Sequence, residues 1–493
     1  MDRKQREGVL VKPHERLSPD QIELVDEVSR ELLEDPGLLC YNDEAAAIYS
    51  DAGAKVENED GCKRVKLPSS VIDKALESAP STVVLGARNP DNRLILDAHE
   101  PRSRFGSGAE TNVWLDVDFE DGKPSFTRKN GSIDRLCKAA HLCDNLENLD
   151  FFIRCVNIQD EEVTSENKDV NKYLASLNNI TKHVQAGLTS LDHLDEVMKL
   201  GQIIAGGEDE FQENPVLSFI TCVIKSPLQV VEDTANKLMA IARRGAPVVI
   251  SSSPMGGATA SFDEFGMVAQ INAEILAGVT LNQLAAPGAP VLYGSVPVRT
   301  RLDTLDDMYG APEFNLYNLD CTQMARHYGL PCYSTAGVGD SSVPGIQATA
   351  EKMLTYAGVP PGGAQYIHYA FGLLERTNVF CPVQAVMDDA HIGMVKPMLQ
   401  DTNVKPEERD RVLGMIREVM ATDHQTYMYH LPLPTEEEVY VSYPLESDEG
   451  DALYAANEKY HEILSRDRDQ LPEDLQEQIK SEVSGVLPQT LQA

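Results

Sequence analysis

Residues Ala246–Pro297 read "APVVISSSPMGGATASFDEFGMVAQINAEILAGVTLNQLAAPGAPVLYGSVP". The stretch opens as a short apolar strand, passes through small residues around Met255, and continues as a long helix. The helix is expected to start at a Ser261 cap and to stop at "APG", after which "APVLYGSVP" returns to a strand. One strand–helix–strand unit of this kind points to a parallel sheet.

Working outward, the unit repeats. "SRFGSGAE" and "LDFFIRCVN" are candidate strands, followed by "ITKHVQAGL", "VLSFITCVI", "APVVISSSP", "APVLYGSVP", "PCYSTAGVG" and "AQYIHYAFG". Helical stretches such as "SPLQVVEDTANKLMAIARRG" lie between them. Eight alternations, closed on themselves, predict an α/β fold of the (β/α)8 TIM-barrel type; an open doubly wound sheet is the alternative, but no G-x-G-x-x-G follows a strand. Three zones are expected. Residues 1–102 form an N-terminal extension, with a capped helix in "LSPDQIELVDEVSRELLED", another in "PSSVIDKALESAP", and a hairpin from "TVVLGARN" and "RLILDAH" turning at "NPDN". Residues 103–400 form the barrel, and 401–493 a charged helical extension that packs on its outside or between subunits of a homo-oligomer.

Composition narrows the function. The formal net charge of −35 argues against nucleic acid as partner, because a polyanion would be repelled. No apolar run reaches the ~20 residues of a membrane span, and "MDRKQREGVLVKPHERL" lacks a signal-peptide core, so a cytoplasmic protein is expected. Nine scattered cysteines contain no C-x-x-C pair and are read as reduced thiols. His183, His368 and His391 show no ligand spacing, so no metal site is expected.

In such barrels the site lies at the C-terminal ends of the strands. "DSSVPG" follows the seventh strand, with helix onset near Pro344 as a first-turn residue, and puts Asp340 at the rim, although Asp and Ser also serve turns and caps. The first strand offers Phe105, Glu110 and Asn112; the sixth, Tyr293; the seventh, Tyr333; the eighth, His368, Tyr369 and Phe371. Several aromatics with few Lys or Arg suit an organic cation, which ring faces attract by ~0.5–2 kcal/mol each when desolvated.

The chain at these positions resembles the trimethylamine:corrinoid protein methyltransferase family, from about Leu17 to Met394 and most densely from Lys182 to Leu374. The motifs that carry the likeness are "RFGSGAETN", "ARRGAPVVISSSPMGGATA", "NAEILAGVTLNQLAAPGAPVLYGSVP", "GAPEFNLYN", "ARHYGLPCYSTAGVGDSS" and "PGIQATAEKM". The resemblance implies a (β/α)8 barrel and methyl transfer to the cobalt of a corrinoid carried by a cognate partner protein, with no tightly bound cofactor. Some members hold pyrrolysine in the loop after the seventh strand. The D-S-x-x-P-x-x-Q-A frame puts Val343 there, so the chain looks like a non-pyrrolysine member, similar to glycine betaine:corrinoid methyltransferases. Ser342 and Gly345 depart from commoner residues of the loop, while Glu375 is kept in "GLLERTN".

A quaternary ammonium leaves as a neutral tertiary amine without being protonated first, which an apolar Val343 accommodates. The resemblance therefore implies Val343, Asp340 and Glu375 as catalytic residues. Phe105, Tyr293, Tyr333, Tyr369 and Phe371 would enclose the ammonium. His368, helped by Gln347 and Asn112, would bond a betaine carboxylate, and Asp340 and Glu110 would orient these groups or complement the cation. Glycine betaine is the first substrate; carnitine, γ-butyrobetaine, proline betaine or choline are alternatives, as is a non-catalytic betaine sensor.

Overall fold

The computed structural model describes residues 4–402, 404–427, 442–446 and 451–492. Eight strands run parallel in one curled sheet: β1 (Arg102–Phe105), β2 (Phe151–Ile153), β3 (His183–Gly187), β4 (Leu217–Thr221), β5 (Val248–Ser252), β6 (Val291–Ser295), β7 (Cys332–Thr335) and β8 (Tyr366–His368). Their order in space follows the chain from β2 to β8, and β1 pairs with β8. A ninth strand, Val9–Leu10, lies antiparallel on β1. The register is regular, with Val248 opposite Val291 and Ser252 opposite Ser295. At the remaining edge, Gly106 forms an isolated parallel bridge to Phe151, and Asp150 N–H donates to the Phe105 carbonyl at 2.7 Å.

A helix lies between each pair of strands: α1 (Ile133–Asp144), α2 (Lys168–Leu177), α3 (Leu194–Ala205), α4 (Glu232–Arg243), α5 (Glu264–Ala285), α6 (Pro312–His327) and α7 (Ile346–Gly358), with α8 (Pro382–Leu399) after β8. Three sequence expectations shift. Asp263, not Ser261, caps α5, accepting from Gly266 N–H at 2.8 Å. Helix α7 begins after Gly345, so Pro344 precedes its first turn. Helix α4 starts late because Ile224–Lys225 and Gln229–Val230 form a small hairpin that pairs with Leu38–Cys40. One element went unread: the hairpin Val113–Glu120/Lys123–Asn130, turned by Asp121 and Gly122, both in the left-handed region.

Helix α5 is apolar on every side, which a helix tolerates only when covered all round. Strands cover one side, and the first hundred residues cover the other. Ser29 Oγ, in the helix Pro19–Glu34, donates to Ala269 O, and Tyr49 OH donates to Ala277 O, at 2.9 and 2.8 Å. Ser18 and Gln21 close a capping box at the start of that first helix. The N-terminal zone thus shares one core with the strands. At the other end, the helices Ala452–Leu464 and Pro488–Gln492 lie on the outer layer: the His141 ring meets Ile463 O at 3.0 Å, and Thr490 Oγ1 donates to Asn171 Oδ1 at 2.8 Å. Among the described residues no helix is long and apolar enough to cross a membrane.

Candidate functional site

Three loops interlock at the C-terminal ends of the strands. Asp340, after β7, accepts from Tyr309 N–H at 3.0 Å and Gly310 N–H at 3.1 Å, pinning the segment between β6 and α6. Burial pushes its carboxyl up, and these amides act against that. Glu351 on α7 accepts in turn from the Asp340 amide at 2.7 Å. The loop after β8 docks through Glu375 N–H to Ser341 O at 2.8 Å, while the Glu375 carboxylate takes Arg128 at 2.5 Å. Val343 is half-buried against the core, and Ser341 Oγ donates to its carbonyl at 2.8 Å. Gln347 is exposed and donates to Glu351 at 2.7 Å.

From this rim an aromatic column descends between the strands. Tyr309 meets Tyr369 edge to face at 6.3 Å between centroids; Tyr369 lies 3.7 Å from His368, His368 4.0 Å from Tyr333, Tyr333 5.8 Å from Tyr366, and Tyr366 3.6 Å from Phe151. Tyr369 sits at φ 67°, left-handed backbone that a tyrosine rarely adopts. Gly108 makes room for it: a Cβ there would lie 2.3 Å from Tyr369 Cδ1. Gly108→Ala is therefore expected to push this ring aside and raise KM for a cationic substrate about tenfold, the weight of one desolvated ring–cation contact; an unchanged KM would remove Tyr369 from the site.

His368 is not available to a carboxylate. It is fully buried, with Nδ1 bonded to Tyr333 OH at 2.6 Å and Nε2 to Thr335 Oγ1 at 2.5 Å, and burial lowers its pKa, so the ring is neutral. It instead locks Tyr333 and the strand register. Phe105 and Tyr293 also leave the enclosure. Phe105 lies beneath Lys396 of α8, with Nζ 5.9 Å from the ring, and Tyr293 OH donates to Asn272 of α5 at 2.9 Å. Both are on the helix side, because alternate residues of a strand face opposite ways. Phe371 is fully buried. Asn112 is exposed and accepts from Asn157 at 2.7 Å. Glu110 is ion-paired to Arg154; burial works to raise its carboxyl, but Arg154, Lys172 and Lys168 outweigh that and hold it low.

The structure adds residues that the sequence reading passed over. Asp307, on the strand Asp307–Met308 just before Tyr309, has a buried Oδ1 with no hydrogen-bond partner among the described residues. Burial pushes this carboxyl up, and its charge is felt by both Tyr309 and Tyr369. The only signal was an acidic loop, "LDTLDDMYG", indistinguishable from a turn. Cys222 follows β4 and is the one exposed cysteine of the nine, and its thiol bonds Ser251 and is felt electrostatically by Tyr333 and Tyr369. Burial raises its thiol, which stays protonated at neutral pH. Slow alkylation by iodoacetamide is expected to fall on Cys222 first; peptide mapping that finds another cysteine labelled before it would show that this thiol is not the accessible one. Among the described residues no group of three His, Cys, Asp or Glu is placed to hold a metal ion.

The strand ends thus gather stacked aromatic rings, the Asp307 carboxylate with one oxygen lacking a hydrogen-bond partner among the described residues and Arg376 as its nearest opposing charge, and the exposed Cys222. Over residues 5–431 the chain matches the family described as trimethylamine methyltransferase (MTTB), and it belongs to that family. It is 32% identical over 391 residues to the trimethylamine methyltransferase MttB of Desulfitobacterium hafniense (strain DSM 10664 / DCB-2), covering 79% of this chain and 76% of that one. Similarity to MttB2 of Methanosarcina mazei is 30% over 391 residues, with 79% and 77% covered. Similarity to the glycine betaine methyltransferase of D. hafniense (strain Y51) is 28% over 389 residues, with 79% and 78% covered.

Proposed function

We propose that this protein transfers a methyl group from a quaternary amine, glycine betaine in the first place, to Co(I) of a corrinoid carried by a separate protein. Asp307 carries the reading. A quaternary ammonium has no N–H to give, so the carboxylate that complements it receives no hydrogen bond from it; an unpartnered oxygen beside Tyr309 and Tyr369 fits that requirement. The relatives include proteins named for trimethylamine and a glycine betaine methyltransferase, and Val343, at the loop position that the family resemblance singles out, favours a substrate that needs no activation.

The Gly106–Phe151 bridge and the Asp150–Phe105 hydrogen bond support a sheet closed into a (β/α)8 barrel, the sheet's strand ends then forming one open mouth. In the transfer the methyl C–N bond breaks with its electron pair going to nitrogen, and the acceptor cobalt supplies the pair for the new bond. The chain's own work is positioning and exclusion of water. Tyr309 and Tyr369 offer ring faces to the ammonium, Asp307 balances its charge, and Asp340 holds Tyr309 in place. Exposed Phe262, Leu302 and Leu305, on the loops after β5 and β6, and Ile346, the first residue of α7, give a partner protein an apolar rim to dock against.

The test is a panel of glycine betaine, carnitine, γ-butyrobetaine, proline betaine, choline and trimethylamine, each mixed with the protein and free cob(I)alamin, with methylcobalamin absorbance as readout. Turnover of a betaine above trimethylamine is expected. Faster trimethylamine turnover than that of every quaternary amine would refute the proposal.

A further inference from the structure

With His368 sealed on both nitrogens, a betaine carboxylate must find another partner. Arg154 stands one residue past β2, at the same end of the sheet. Its side chain is 2% exposed, and its Nε and Nη1 have no hydrogen-bond partner among the described residues. Only Nη2 is engaged, by Glu110. Unpaired guanidinium N–H groups in a buried position are costly to leave so, and an anion relieves them.

Charge around Arg154 points the same way. Lys172 and Lys168 stand beside it and beside Glu110, and the carboxylates of the cluster are Glu110 and Asp169. Asp169 is already saturated by Lys172, His193 and the amides of Thr189 and Ser190. Three cations against two carboxylates leave one positive charge over. Lys172 is lowered to about 8, by burial first and by Arg154 next, against the pull of Asp169 and Glu110.

The two loops that carry the Glu110–Arg154 pair run side by side, with Thr111 bridged to Val156. Glu110 is two residues from Gly108, the glycine on which the Tyr369 ring rests. The Glu110 side chain is 44% exposed, whereas that of Arg154 is buried.

We infer that Arg154 is the carboxylate anchor of the site: a betaine carboxylate displaces that of Glu110 from the guanidinium while its ammonium lies against Tyr369, Tyr309 and Asp307. The inference rests on the methyl-transfer reading for the identity of the substrate. It makes the site selective for amines bearing a carboxylate, and it gives Glu110 the role of an internal stand-in for that carboxylate.

Calorimetric titration of the full-length protein with glycine betaine, choline and acetate tests it. For Arg154→Gln, glycine betaine affinity should fall about 30-fold or more, as when one partner of a buried charge pair is truncated, with choline affinity unchanged; Arg154→Lys should recover part of the loss. Glu110→Gln should bind glycine betaine as tightly as the native chain or more tightly, because nothing charged then competes. Equal losses for betaine and choline, no loss in Arg154→Gln, weaker betaine binding in Glu110→Gln, or no betaine binding by the native chain would each overturn the inference. The two readings fail separately. Betaine binding that depends on Arg154 without methyl transfer leaves the anchor standing and removes the reaction. Unchanged KM for glycine betaine in Arg154→Gln removes the anchor and leaves the reaction.

Discussion

Asp307→Asn is expected to raise KM for a quaternary amine by roughly 30- to 150-fold with little change in thermal stability. The size follows from losing one counter-charge at about 6–8 Å in a medium of effective dielectric ~20, about 2–3 kcal/mol. The substitution keeps the shape and removes only the charge. Acidity should do the same to the native protein. Because burial pushes this carboxyl up, it takes a proton at a higher pH than an ordinary aspartate, and the neutral form no longer balances a cation. KM should therefore climb on acidification earlier than aspartate normally titrates, and the climb should be missing in Asp307→Asn. A variant with native KM, or one with the same acid limb, would take Asp307 out of the site.

The second large effect is on stability. Lys352 of α7 and Asp388 of α8 are both fully buried and pair at 3.0 Å. Lys352 also donates to Gly337 O, and Asp388 accepts from Gly372 N–H at 2.7 Å and from Gln384 at 2.9 Å. The pair thus fastens the loops that leave β7 and β8 to the two helices behind them. Removing one partner strands a buried charge, so Lys352→Met should cost about 3–5 kcal/mol in chemical unfolding. Adding Asp388→Asn should restore a large part of it, since no charge then remains. A single-variant loss below about 1 kcal/mol, or a double variant worse than the single, would show that the pair is not the fastening described.

Sequence alone reached the strand–helix alternation because short apolar runs bounded by Gly and Pro leave few other readings. It could not assign facing. A strand covered on both sides has no polar side to mark direction, so Tyr333 and Tyr293 read alike, and only one of them points away from the helices. The occupancy of His368 depended on the register of two neighbouring strands, which brings Thr335 level with it. Asp307, Tyr309 and Arg154 lie in loops or at strand ends without periodicity, and their meaning comes from partners far away in the chain: Asp340 for Tyr309, Glu110 for Arg154. The loop after β7 was legible as a rim, but its work of holding the preceding loop was not.

The cover over α5 has an implication for biosynthesis. The helices Pro19–Glu34 and Ser69–Ser78 leave the ribosome well before Glu264–Ala285, a long and largely apolar rod, so its shelter is already waiting when it emerges. A circular permutant that made those hundred residues last would expose the rod throughout translation and should aggregate, even though its finished fold would be the same.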